Sequence, residues 1–326
     1  MINKLFQRRE APLLIILAAL VTIVCLLQPR FLSPGNLQSV LLWLPLLIIV
    51  ALGEMAVILT RGIDVSVGSI LGLSGMMTAM ALRDYPELNI YVAALLATGI
   101  GAFLGAINGG LIAGAGTPPI VATLATLGIY RGLTFVVSSG KQVDDYQLPR
   151  NLARWSIDGP FGLSITPYVV WIALIVAAAM HLFLTYSRTG RDWYAIGGEP
   201  DGASDRGVPV RLRTFCAYVL SGAGAGLAGL LYASRFGTVN PASIGNGFEM
   251  LAIAAVVIGG TSIFGGSGTI AGVLLGCLLL GIINVALAVL NIAETWQSAV
   301  YGAVILMALL TDDAARRRLM KGARHK

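Results

Sequence analysis

Apolar runs of about 17–25 residues recur along almost the entire chain, and each is long enough to cross a bilayer as a helix. Ten can be counted, near residues 12–28, 40–60, 64–82, 90–112, 119–137, 167–186, 214–233, 248–264, 269–290 and 296–312. The third is interrupted by glycine and serine, and only Phe264-Gly-Gly-Ser-Gly parts the eighth from the ninth. A backbone in lipid must satisfy its own hydrogen bonds, so the expected fold is all-α: a polytopic bundle of about ten transmembrane helices. Charged residues make up 12% of the chain, well below the ~25% typical of soluble domains. The mean hydropathy is +0.82. No polar block is long enough for a second fold, so residues 1–326 are read as one membrane domain.

Basic residues orient the bundle. With the N-terminus inside, fifteen fall on the cytoplasmic side: Lys4, Arg8, Arg9, Arg61, Arg188, Arg191, Arg206, Arg211, Arg213 and six in the tail after Asp313. Six lie outside (Arg30, Arg83, Lys141, Arg150, Arg154, Arg235), and Arg131 lies inside a span. Positive residues favour the cytoplasmic side, which predicts both termini inside. The net charge of +6 is thereby explained without nucleic acid. The N-terminal run has no small-residue cleavage site and ends at Gln28-Pro-Arg, so it reads as a retained first helix. Residues 138–166 form an external loop and 187–213 a cytoplasmic one. The basic tail 313–326 is expected to face lipid headgroups.

The stretch Ile58–Gly72 sets Arg61, Asp64, Ser66, Ser69 and repeated glycines inside an otherwise apolar run. A charge at bilayer depth costs at least ~2.5–3.5 kcal/mol, and irregular backbone there survives only inside protein or beside a water-filled path. The segment suggests a route for a polar solute; the competing reading is a buried ion pair that locks helices. Asp64, Ser66, Ser69, Thr123 and Arg131 are the candidate path residues, although their hydroxyls could equally bond carbonyls of their own helices. Glu54 and Glu249 add carboxylates near span ends, where they could satisfy backbone donors or pair with Arg131. Gly101, Gly105 and Gly109, Gly222 and Gly226, and Gly268, Gly272 and Gly276 form smooth helix faces, read as packing surfaces. A faint echo relates Glu54-Met-Ala-Val-Ile to Glu249-Met-Leu-Ala-Ile, with both copies running in the same direction.

Catalytic signatures are missing from the sequence. It contains no phosphate-binding Gly-x4-Gly-Lys-Ser/Thr loop, no Gly-x-Ser-x-Gly elbow and no His-Glu-x-x-His helix. Its two histidines, His181 and His325, stand alone, and Cys25, Cys216 and Cys277 have no metal-ligand spacing. The chain is therefore expected to be no enzyme, to bind no cofactor and to hold no metal. Within 187–213, Pro200 suits the first position of a helix, Asp201 its first turn, and Gly207 and Pro209 its close. The expected element is a short polar helix lying on the cytoplasmic face: either a solvated connection or a docking knob for a soluble motor.

Four blocks carry a family resemblance: Thr60–Ser69, Pro119–Gly132, Tyr194–Val208 and Gly259–Gly268. In order, from about residue 45 to 312, the chain resembles the ribose-type permease subunits of bacterial ABC sugar importers. The resemblance implies an inner-membrane pore of two permease subunits, identical or sister. It also implies a cytoplasmic ATPase pair that uses the ATP, and a periplasmic solute-binding protein. The family's ATPase-engaging loop maps onto Gly197, Gly198, Glu199, Gly202, Ala203, Arg206 and Gly207, with Glu199 where asparagine is usual. A branched-chain amino-acid permease of the same superfamily and an ion-coupled secondary carrier are the alternatives.

Overall fold

In a computed structural model the described residues are 11–160 and 166–292, together with Trp296, Ala299, Gly302, Ala303 and Leu306. The protein is all-α among these residues. The tenth apolar run (296–312) lies outside them apart from those five positions. The first basic cluster and the tail 313–326 also lie outside.

The elements in order are α1 (Ala11–Leu27), α2 (Pro34–Leu59), α3 (Val67–Asp84), α4 (Ile90–Gly109), α5 (Pro119–Ser138), α6 (Arg150–Ile157), α7 (Tyr168–Tyr186), α8 (Arg188–Gly198), α9 (Pro200–Asp205), α10 (Val210–Phe236), α11 (Phe248–Ile258) and α12 (Ile270–Val289). A single wide turn, Gly110–Gly114, extends α4. Six of these helices are long and apolar enough to cross a membrane: α2, α4 with its extension, α5, α7, α10 and α12.

Burial inside the subunit differs widely among these helices, and the most buried, α2 and α12, are among the most apolar. Helices α5 and α7 are only 28% buried inside the subunit and carry exposed Val121, Ile129, Val136, Ile175 and Leu182. By contrast α3 is enclosed by protein, with Ser69, Ser74 and Thr78 unexposed. Each of those hydroxyls donates to a carbonyl of the preceding turn, so a less apolar helix is accommodated there. Several expected boundaries move: α2 begins at Pro34 rather than 40, and α10 runs over Val210–Phe236 rather than 214–233. The eighth run yields only the 11-residue α11, because Gly260 takes a left-handed φ of 82° and ends the helix. The third begins as a helix at Val67 rather than 64, since Asp64–Ser66 form a turn instead.

Helix α2 is the axis, buried without interruption from Ile49 to Leu59. Around it pack α10, α12, α11 and α7, and α10 also packs along α4 and α3. The glycine faces read from sequence are the contact surfaces, except that Gly268 falls in the loop before α12 rather than on its face. A Cβ at Gly105 would strike the Tyr218 carbonyl, and one at Gly109 would lie 2.9 Å from the Phe215 ring. Gly272 and Gly276 likewise press α12 onto the carbonyls of Gly259, which caps α11, and of Ala255 within it. Such close backbone approach lets dispersion hold helices together where lipid supplies no hydrophobic drive.

At one end of the bundle, the 138–166 segment carries α6. Ser234 on α10 donates its hydroxyl to the Leu152 carbonyl (2.8 Å). Val143 and Val239 exchange backbone hydrogen bonds of 2.9 and 2.8 Å, joining this segment to the α10–α11 loop. The opposite end gathers α8, α9, the α2–α3 loop and the α11–α12 loop.

Candidate functional site

The chain leaves α2 at Leu59 through a turn that only a few residue types can make. Gly62 donates its N–H to the Val57 carbonyl (3.1 Å), and a side chain there would run into the Tyr218 hydroxyl. Past it, Asp64 folds back. Its N–H donates to Glu54 Oε1 at 3.0 Å, and its Oδ1 accepts from the Ser66 N–H at 3.0 Å and the Ser66 hydroxyl at 2.6 Å. From α4, Asn108 Nδ2 donates to Ser66 Oγ at 2.7 Å and reaches Asp64 Oδ1 at 3.5 Å. The Tyr130 hydroxyl on α5 donates to the Leu104 carbonyl (3.0 Å) and lies 3.4 Å from Asn108 Oδ1. One knot thus joins α2, α4, α5 and the α2–α3 loop, with Tyr218 of α10 beside it.

Glu54, Asp64, Ser66 and Asn108 have no solvent exposure at all. Burial of a polar group is costly unless partners replace water, and most of these atoms have one. Glu54 Oε2, Asp64 Oδ2 and the Tyr218 hydroxyl have no hydrogen-bond partner. The Arg61–Asp64 ion pair considered from sequence does not form. Arg61 turns the other way, and the ion pairs among the described residues are Arg83–Asp84 and Arg213–Asp192.

The other candidate path residues lie nearby with their polar atoms engaged. Ser69 donates to the Ser66 carbonyl (2.8 Å), while Thr123 donates to its own helix at Pro119 (2.9 Å) and lies 3.3 Å from the Ile63 carbonyl. Arg131 is half-buried and donates through Nη1 to the Ile244 carbonyl (2.6 Å). Glu249, in the first turn of α11, lies against Gly68, where a Cβ would strike its Oε2. Asn108, Tyr130 and Tyr218 were not singled out from sequence. A polar side chain closing a glycine-rich apolar run was the available signal for Asn108.

The 187–213 segment folds as two helices. Ser187 caps α8 by accepting from the Gly190 N–H (2.9 Å), and Pro200 occupies the first turn of α9. Gly207, at φ 79°, ends α9: its N–H donates to the Ser204 carbonyl and that of Val208 to Ala203. The expected short helix is therefore present. Of the mapped loop residues, Gly197 and Ala203 are buried against the bundle. Gly198, Glu199, Arg206 and Gly207 are exposed, and Gly202 is half-buried. Two attachments hold α8 to α10. Asp192 Oδ2 accepts from Arg213 Nε (2.7 Å), and the Trp193 indole donates to the Arg213 carbonyl (2.8 Å). Tyr194 donates to the Gly268 carbonyl (3.0 Å); burial pushes its phenol above the ordinary range, so it stays a donor. Among the described residues no group of acidic, histidine or cysteine side chains could hold a metal ion.

Six helices long and apolar enough to cross a bilayer around a buried polar knot, with a polar helix pair at one end, define a multi-pass membrane protein. Comparison with known proteins makes this specific: residues 36–309 match the family described as branched-chain amino acid transport system / permease component, and the chain belongs to it. It is a permease subunit of an ABC importer and not an enzyme. An autoinducer 2 import system permease protein of Photorhabdus luminescens is 36% identical over 326 residues, covering 100% of this chain and 96% of the relative. A D-allose transport system permease protein of Escherichia coli is 37% identical over 300 residues, 91% of this chain and 89% of the relative. A ribose import permease protein of Escherichia coli is 38% identical over 306 residues, 93% and 94% of the two chains. No solved structure matches the chain.

Proposed function

We propose that this permease carries a monosaccharide or sugar-like solute across the bacterial inner membrane. Ten helices with both termini in the cytoplasm would form one half of a pore made with a second, identical or sister, permease subunit. A cytoplasmic ATPase would grip α9, and a periplasmic solute-binding protein would load the opposite face. The observation that carries the docking part is the placement of α9. It is too short and polar to enter lipid, and it presents Glu199, Asp201, Asp205 and Arg206 outward.

ATP-driven closure of the motors would move the docked α9 helices and rock the two subunits between outward- and inward-open states. Asp64, Ser66, Ser69, Thr123 and Arg131 are proposed to border the route. In the conformation described the first four are turned into the subunit and bonded there, so exposing them would require α3–α5 to shift against α10. A sugar needs replacements for its lost water hydrogen bonds, and hydroxyls and carboxylates supply them. Selectivity is left to the binding protein.

The relatives' names support the sugar reading, being those of autoinducer 2, D-allose and ribose permeases over nearly the whole chain. The family description favours the second reading, a branched-chain amino-acid permease. Uptake of labelled D-ribose, D-allose, autoinducer 2 and L-leucine should be compared in cells with and without the gene. Loss of a sugar-like substrate alone supports the proposal; loss of leucine uptake alone overturns it. Uptake by this chain reconstituted without an ATPase, and collapsed by a protonophore, would identify an ion-coupled carrier instead.

A further inference from the structure

The α2–α3 loop has two ends with different partners. One end is Asp64, knotted to Glu54, Ser66 and Asn108 inside the bundle. Three residues earlier, Arg61 points to the opposite side. Its Nε donates to the Gly197 carbonyl at 2.9 Å and its Nη2 to the Gly198 carbonyl at 2.7 Å. Those carbonyls close α8, one residue before the Glu199–Pro200 step into α9. The last carbonyls of a helix lack intrahelical partners and carry the negative end of its dipole, so a guanidinium is well suited to cap them. Both bonds are charge-assisted, and a planar fork reaches two successive carbonyls where an ammonium would hold one.

The backbone is fitted to this contact. Arg61 sits at φ 66°, a left-handed conformation that costs a residue with a side chain, and it aims the guanidinium at α8. A Cβ on Gly197 would strike the Leu59 carbonyl, and the Gly266 N–H donates to that carbonyl at 3.2 Å. Three loops therefore meet backbone to backbone, leaving little slack between the end of α2 and the end of α8.

We infer that Arg61 is a positioning residue for coupling: its guanidinium ties the α8–α9 junction to the α2–α3 loop, so that a displacement of α9 is delivered to the Asp64 knot. This rests on the reading of α9 as the ATPase-docking helix. A solvent-facing arginine serving solubility alone would not need a left-handed backbone or two carbonyls 136 and 137 residues away.

Hydrogen–deuterium exchange of the permease–ATPase complex in nanodiscs, with and without ATP plus vanadate, tests it without knowledge of the solute. In the native complex, trapping should change exchange at residues 199–207 and at residues 60–66 together. In Arg61→Gly, which keeps the left-handed turn but removes the guanidinium, the nucleotide-dependent change at 60–66 should be lost while that at 199–207 persists. Arg61→Lys should restore part of it. An undiminished response at 60–66 in Arg61→Gly, or none there in the native complex, overturns the tie. A native complex in which 199–207 does not respond overturns the docking reading itself.

Discussion

Gly101 and Gly222 meet across the α4–α10 contact with nothing between them but backbone: a Cβ on either would collide with the carbonyl oxygen of the other. Gly226 extends the contact, with its Cα 2.7 Å from a Cβ at Gly101. The neighbouring atoms are main chain and cannot swing aside, so a side chain must push two helices apart. Gly101→Val and Gly222→Val should each cost about 1–3 kcal/mol or more through overpacking. Both should lower the thermal-unfolding midpoint of the purified protein in detergent. Gly99→Ala, which meets nothing within 4 Å, should leave it unchanged. Equal midpoints for all three would mean that α4 and α10 do not pack this way.

The Asp64 knot predicts a graded response to substitution. In Asp64→Ala the Ser66 N–H and the Ser66 hydroxyl lose their buried acceptor, while Asn108 keeps its bond to Ser66 Oγ, and each unsatisfied group costs roughly 1–3 kcal/mol. Asp64→Asn keeps an acceptor oxygen in place of Oδ1. Solute uptake should therefore fall strongly in Asp64→Ala and less in Asp64→Asn, with subunit pairing retained in both by cross-linking. Native uptake in Asp64→Ala would reduce the residue to packing.

Gly207 stands in open space, so substitution there tests backbone conformation alone. At φ 79° a β-branched residue is strained by about 1–2 kcal/mol, whereas asparagine tolerates the left-handed region better. Gly207→Val should distort the end of α9 and abolish ATP-driven uptake while the protein still inserts into the membrane. Gly207→Asn should retain most of the uptake. Native transport by the valine variant would remove the support for docking at α9.

Local patterns in the sequence reached as far as local forces do. Apolar run length marked α2, α4, α5, α7, α10 and α12, because a helix that crosses a bilayer must be apolar over about 20 residues whether it faces lipid or the packed interior. Pro200, Asp201 and Gly207 bounded α9, because caps and left-handed turns are chemistry of a few adjacent residues. Four-residue glycine spacing marked the α4–α10 and α11–α12 contacts, since close helix approach needs it on both sides. What was not legible depends on pairing distant segments. Nothing near Arg61 announces that it caps α8 rather than Asp64, and nothing near Tyr218 places its hydroxyl over Gly62. The same holds for α3: its serines and threonines are compatible with a helix only because protein surrounds it.

The attachment of α8 to α10 predicts a measurable pair energy. Asp192 and Arg213 are joined at 2.7 Å with side-chain exposures of only 14% and 19%, so solvent screens them less than a surface pair. The Trp193 indole bond to the Arg213 carbonyl fixes the backbone at the same junction. Exposed pairs contribute ~0.2–1 kcal/mol, and this one should lie at or above the top of that range. Asp192→Ala and Arg213→Ala should each raise the rate of protease cleavage within residues 188–209, and the double variant should add little to either. That non-additivity is the signature of a direct interaction between side chains in contact. Cleavage rates that simply multiply would show that each residue acts by packing alone, and that α8 is held by Trp193, Tyr194 and Arg61 without the ion pair.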